Sequence, residues 1–191
     1  MIVSNITIDE FFPDYDEVVE YAKTHDFSVA PIYDGHEYPG FTPVRDQSFI
    51  DYTAELLKQA MNLADVKVHM AAFVSAREGF KTRQWIHCDN SCAKYAVVIH
   101  LHNHPHRGTK FWQHFDYGHG LRTNLTEHEI ECLRERGMKM DGWHPTDYVD
   151  SRPNRLVFYP TYRFHSRWPE EGVGGTVADS RLTMVLFVDV A

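Results

Sequence analysis

Cysteine is scarce in this 191-residue chain. Cys88, Cys92 and Cys132 make an odd number, which closes no disulfide framework and suits a reducing compartment. Cys88 and Cys92 have the spacing of zinc ligands, but no second cysteine pair follows, which argues against a structural zinc site. Lysine and arginine are outnumbered by aspartate and glutamate, 19 against 27, for a net charge of −8. With no basic stripe to offset it, broad attraction to nucleic-acid phosphates is disfavoured. No apolar run approaches the roughly 20 residues of a membrane helix, and Met1–Asn5 lacks the basic stretch and apolar run of a secretory signal. The expectation is a soluble cytoplasmic protein without nucleic-acid or membrane partners. A homodimer is the default for a soluble chain of this size.

What is present reads as one domain over residues 1–191. Residues 1–64 form a helical support: "FFPDYDEVVEYAKTHDF" sets Val18, Val19 and Ala22 at helical spacing, and "FIDYTAELLKQAMNLAD" does the same with Ala54, Leu57, Ala60 and Met61. The prolines and glycines of "PIYDGHEYPGFTP" predict an irregular loop between them. From residue 65 to 191 the pattern turns to β-rich runs: "VKVHMAAFVSA", "RQWIHCD", "KYAVVIHLH", "GTKFWQH", "RLVFYPTYRFHS" and "RLTMVLFVDV". Helices first and strands later, without βαβ alternation, predict a mainly β sandwich or jelly roll with N-terminal supporting helices. An insertion over 115–153 interrupts the strands. In it, "LTEHEIECLRERG" carries a capping box, Thr126 with Glu129, a narrow stripe of Ile130 and Leu133, and Gly137 as a stop.

In "RQWIHCDNSCAKY", His87 and Asp89 are two apart, so on a strand both project to one face while Cys88 points away. His165, in "YRFHSRW", offers a third ligand from a different strand. Two histidines and one carboxylate leave three positions of an octahedral iron open, the arrangement of non-haem Fe(II) oxygenases. His-x-Asp alone arises by chance in a chain with 13 histidines. More weight comes from "SRLTMVLFVDV", where Arg181 and Thr183 share a face of a strand otherwise apolar on both sides. A cation there is costly unless an anion meets it.

His87-x-Asp89, His165 after "NRLVFYP", and Arg181-x-Thr183 together resemble the Fe(II)- and 2-oxoglutarate-dependent oxygenases, over about Trp85 to Val188. The likeness is nearest to the prolyl-hydroxylase-like branch and to small relatives in bacteria and phages, which show similar "H-x-D…KY", "G-T-x-F-W" and "N-R-L-V-x-Y…F-H" strings. It implies a double-stranded β-helix and a dioxygenase that uses Fe(II), 2-oxoglutarate and O₂ to hydroxylate a small molecule, an amino acid or a peptidyl residue. By the same resemblance His87, Asp89 and His165 bind the metal. Arg181 and Thr183 hold the distal carboxylate of 2-oxoglutarate, with Tyr95 as a further contact and Trp85 and Asn154 as weaker pocket candidates. Many prolyl hydroxylases have lysine where Arg181 stands. Nucleic-acid demethylases of the superfamily have a second arginine six positions on, where this chain has Phe187, which disfavours base repair. Halogenases lack the carboxylate ligand, whereas Asp89 is present.

"HLHNHPH" places His100, His102, His104 and His106 at alternate positions. No glutamate follows before Glu127, so a cupin metal site does not fit, and the run reads as a strand end entering a turn with partly solvated histidines. Phe111 and Trp112 read as core. The rival reading of the whole is a non-enzymatic, cupin-like jelly-roll binding module with a structural metal.

Overall fold

The computed structural model describes residues 4–33, 36–79, 85–89, 92–121 and 126–191. Asp34 and Gly35 of the "PIYDGHEYPGFTP" loop, Arg83 and Gln84 of "RQWIHCD", and the side chain of Ile130 lie outside the described residues. The chain order begins with β1 (Ile6–Ile8), α1 (Tyr15–Lys23), β2 (Ile32–Tyr33), β3 (His36–Glu37), β4 (Phe41–Pro43) and α2 (Gln47–Met61). It continues with β5 (Val66–Ala76), β6 (Tyr95–His100), β7 (Thr109–His114), α3 (Glu127–Lys139), β8 (Trp143–Val149), β9 (Leu156–Pro160), β10 (His165–Arg167) and β11 (Arg181–Val190). Six strands form one antiparallel sheet in the order β1-β9-β6-β11-β5-β4, and three form another, β10-β7-β8. The segment carrying His87 adds to the smaller sheet through a bridge to His165.

The central strands of the large sheet are buried on both sides; every residue of β6 and of β9 is buried. One face meets the helices. Tyr95, Val97, Ile99, Leu156, Phe158, Leu182, Met184 and Leu186 pack there with Val18 and Ala22 of α1 and Leu57 of α2. Full burial of each large apolar side chain is worth about 1.5–3 kcal/mol. The helix α2 starts at Asp46, whose carboxylate accepts the N–H of Ser48 and of Phe49, and ends at Asn62 in the left-handed conformation. The opposite face, with Ala96, Val98, Val157, Tyr159 and Phe187, closes on Phe111 and Val149 of the smaller sheet. The candidate metal ligands and Arg181 lie in this inner layer.

Three features differ from the sequence reading. The stretch "PIYDGHEYPGFTP", expected as an irregular loop, carries β2, β3 and β4. The stretch 115–153 is not one insertion, because β8 is a strand of the smaller sheet, paired with β7. It was hidden by Pro145 and by a polar, exposed middle. Both are tolerated because β8 is an edge strand and the register with β7 slips between Phe111 and Trp112, leaving Thr146 extra. The helix α3 has the capping box at Thr126 and Glu129 but runs past Gly137 to Lys139. Gly137 marks a close approach: a Cβ there would lie 2.7 Å from the Ile86 carbonyl oxygen. Beside it Leu133 joins Trp85, Ile86, Trp112, Trp143 and Phe164 on the outer face of the smaller sheet.

Candidate metal centre

His87 and His165 face each other across a two-way backbone pair, His87 N–H to His165 O at 3.0 Å and His165 N–H to His87 O at 2.8 Å. Such a pair sets both side chains on the same face. Two residues on, Asp89 N–H donates to Thr161 O at 2.8 Å, so Asp89 returns to that face while Ile86 and Cys88 turn to the outer tryptophan cluster. The carboxylate oxygens of Asp89 stand 3.8 Å from His87 Nε2 and 3.3 Å from His165 Nε2. One ligand atom from each of the three residues lies within 4.8 Å of the others.

Both imidazoles are oriented from behind. His87 Nδ1 is 3.0 Å from Trp85 O, and His165 Nδ1 is 3.0 Å from Arg163 O. A carbonyl only accepts, so in the neutral rings Nδ1 carries the proton and Nε2 presents its lone pair inward. Burial holds His87 below the ordinary imidazole range, and His165 adds to this. For Asp89 burial works the other way, but His87 and His165 outweigh it and keep the carboxyl below its usual range. His87 and Asp89 retain 30% and 21% of their side-chain surface, so the cluster is reachable. Neutral nitrogen donors, one carboxylate and access suit a divalent transition metal with open positions.

Arg181 opens β11 on the same inner layer, two residues from Thr183; both are buried, at 6% and 2% exposure. Its Nε donates to Arg107 O at 3.2 Å and its Nη2 to Gly108 O at 3.1 Å. No carboxylate among the described residues pairs with it. Burial, with Arg167 adding to it, pushes Arg181 down to about 9. Gly108 has to be glycine for this, since a Cβ would overlap the Val149 carbonyl.

The other candidate positions fall elsewhere. Tyr95 is a correction: it stacks on Phe158 at 4.8 Å in the helix-facing core, on the side of β6 away from the triad. Its neighbour in the register, Ala96, is the inward residue, and opposite Ala96 stands Tyr159. Tyr159 is the residue that sequence reasoning missed. Its ring lies 4.7 Å from His165, and burial, reinforced by Asp89 and opposed by Arg181, raises its hydroxyl well above the ordinary range. Trp85 stacks with Trp168 on the outer face, and Asn154 ties down the backbone of Phe12 through both side-chain amide atoms, so neither lines the pocket. The histidine run is also corrected. His106 is exposed, but His100 and His102 are buried, at 0% and 6%. Cys88, Cys92 and Cys132 form no disulfide. Among the described residues no helix is long and apolar enough to cross a membrane.

A single family model covers residues 4–188. The chain belongs to DUF6445, a family of unknown function. No curated protein matches it in sequence. Solved structures do match this DUF6445 chain. HygX from Streptomyces hygroscopicus, with nickel and 2-oxoglutarate bound, superposes with a TM-score of 0.59 at 13% identity, covering 96% of this chain and 82% of HygX. SnoK, a non-haem α-ketoglutarate-dependent carbocyclase from nogalamycin biosynthesis, gives 0.61 at 12%, covering 97% and 79%. A 2OG-Fe(II) oxygenase family oxidoreductase from Burkholderia pseudomallei gives 0.56 at 8%, covering 97% and 85%. The fold of this DUF6445 member is therefore the jelly roll of the 2-oxoglutarate- and Fe(II)-dependent oxygenases.

Proposed function

We propose that this protein is an Fe(II)- and 2-oxoglutarate-dependent dioxygenase that hydroxylates a small molecule, an amino acid or a peptidyl residue. The observation that carries this is a pair of sites on one inner layer: an accessible His–Asp–His cluster, and a buried arginine with no acidic partner among the described residues. A binding module with a structural metal accounts for the cluster but leaves Arg181 without a counter-charge.

His87, Asp89 and His165 would hold the iron, and Arg181 with Thr183 would hold the far carboxylate of 2-oxoglutarate. Iron and 2-oxoglutarate together supply an oxidant made from O₂; the chain supplies placement. The carbonyls of Trp85 and Arg163 keep both Nε2 lone pairs aimed inward before any metal arrives. The planar guanidinium of Arg181 matches a carboxylate with two parallel donors. Tyr159, between Asp89 and Arg181 in its electrostatic contacts, offers a protonated hydroxyl to whatever occupies the space.

The test is anaerobic addition of Fe(II) and 2-oxoglutarate, followed by visible absorption. The parent should develop a weak charge-transfer band, and Asp89→Ala should lose both the band and at least about 100-fold in metal affinity, more than loss of an outer-shell contact costs. Full iron occupancy in Asp89→Ala would refute the ligand assignment, and a parent without the band would refute the co-substrate.

A further inference from the structure

The inner layer ends in two histidines that the metal cluster does not use. His100 is fully buried, and neither ring nitrogen has a partner among the described residues. His102 lies beside it, ring to ring at 5.4 Å. Its Nδ1 accepts the backbone N–H of His104 at 3.1 Å, whereas its Nε2 is buried and unmatched. Burial, with Arg181 adding to it, pushes His102 down to about 3, so the ring is neutral. A neutral imidazole that accepts at Nδ1 carries its proton on Nε2. A buried N–H donor is therefore left open, and such groups are rare unless something fills the gap.

Both rings belong to the neighbourhood of Arg181. The pairing of β6 with β11 sets His100 opposite Thr183 on the inner face. After burial itself, Arg181 is the largest influence on each imidazole. A metal ion does not suit this place: it would sit against a guanidinium, and among the described residues no carboxylate or cysteine joins the two histidines in a cluster. An anion suits it. Arg181, Arg167 and Arg107 already crowd positive charge together, and uncharged donors can add hydrogen bonds to an anion without adding another buried cation.

We propose that His100 and His102 complete the carboxylate pocket of Arg181 and Thr183, as uncharged N–H donors to the far carboxylate of the 2-oxo diacid. The inference rests on the oxygenase reading and adds two residues of this chain to it. They favour a co-substrate that ends in a carboxylate over one that shares only its metal-chelating end.

Calorimetry on protein loaded with Zn(II) tests this with two probes, 2-oxoglutarate and oxalate, the second having a chelating end and no distal carboxylate. His102→Asn keeps an oxygen near the Nδ1 position for His104 N–H and removes the Nε2–H; His100→Phe keeps the ring and removes both nitrogens. Each should weaken 2-oxoglutarate by about 10- to 100-fold, the range for a hydrogen bond to a charged group, with oxalate unchanged. His102→Gln, which can again reach forward with an N–H, should recover part of the loss. Unchanged 2-oxoglutarate affinity, or equal losses for both probes, overturns the inference while leaving the parent's own 2-oxoglutarate binding, and the oxygenase reading, intact. A parent that takes up oxalate but not 2-oxoglutarate overturns both. The two sites are read separately, so a variant that fails to fold leaves the other to decide.

Discussion

Arg181→Met exchanges a buried guanidinium for an aliphatic chain of similar reach, and the structure sets opposite signs for its effect with and without ligand. Without ligand, Arg181 has two carbonyl partners and no acidic one among the described residues. Burial takes its pKa from 12.5 to about 9. At about 1.4 kcal/mol per unit, holding that charge inside costs the fold on the order of 5 kcal/mol. A cation depressed on folding destabilises at every pH below about 9, and the penalty fades only as pH rises from there towards the unfolded value. Methionine removes the penalty but strips one donor each from Arg107 O, which is only part-buried, and from Gly108 O, which keeps the N–H of Trp168, at about 1–2 kcal/mol each. The net gain at neutral pH is then about 1–3 kcal/mol, or roughly 3–10 °C in melting temperature for a chain of this size. With 2-oxoglutarate the order reverses. Loss of one member of a buried charge pair costs about 3–5 kcal/mol, two to three and a half orders of magnitude in affinity, and the stabilisation that bound ligand confers by mass action disappears. Thermal melts of parent and variant, with and without 2-oxoglutarate and a redox-inert divalent metal, read both effects. A variant less stable than the parent when empty, yet shifted as far by 2-oxoglutarate, would refute the reasoning.

Gly137→Ala should destabilise by about 1–2 kcal/mol in denaturant melts, although alanine is worth up to about 1 kcal/mol in a free helix, because its Cβ meets the Ile86 carbonyl at 2.7 Å and overpacking costs about 1–3 kcal/mol. Metal affinity should fall with it, since Ile86 precedes His87; a more stable variant would show that α3 yields freely. Asp9 is held below the usual carboxylate range chiefly by its hydrogen bonds from Arg155, at 2.5 and 2.8 Å. Its contribution is present above the ordinary carboxyl pKa and lost as pH falls through the lowered one, so Asp9→Asn should cost up to about 1 kcal/mol at neutral pH for this half-exposed group. The gap in melting temperature between the two proteins should close below about pH 4.

The alternation around His87 and Asp89 could be read from sequence because Ile86 and Cys88 between them serve another environment, the outer tryptophan cluster. The parity of β11 was equally readable, since Arg181 and Thr183 are polar among apolar neighbours. In β6 that signal is absent. All six residues are buried, so apolar side chains occupy both faces and nothing in "YAVVIH" says which side Tyr95 takes. The same silence concealed Tyr159 in the fully buried β9. Thr126 and Glu129 located α3 because a capping box is local chemistry, whereas Gly137 misled because its reason lies in Ile86, far away in sequence. Edge position is a tertiary fact too, and it is what lets Pro145 and Asp147 stand in a strand.

The two ends of the inner layer prepare for their ligands by different means, and this bears on the order in which they fill. At the metal end the Nδ1 atoms are bound to carbonyls, and the cluster stays reachable from solvent through His87 and Asp89. At the Arg181 end the fold carries a buried cation and imidazole nitrogens that have, among the described residues, no acidic partner and no hydrogen-bond partner respectively, each a cost that an anion relieves. Metal should therefore bind with little change in stability beyond its own mass action, whereas a dicarboxylate should add to stability and tighten the metal in turn, because coupling between two ligands is reciprocal. Titrating the divalent metal with and without 2-oxoglutarate, and 2-oxoglutarate with and without the metal, gives one coupling factor by thermodynamic necessity, and it must exceed one if the two ends share one ligand. Independent affinities would mean that the anion which satisfies Arg181 never touches the metal.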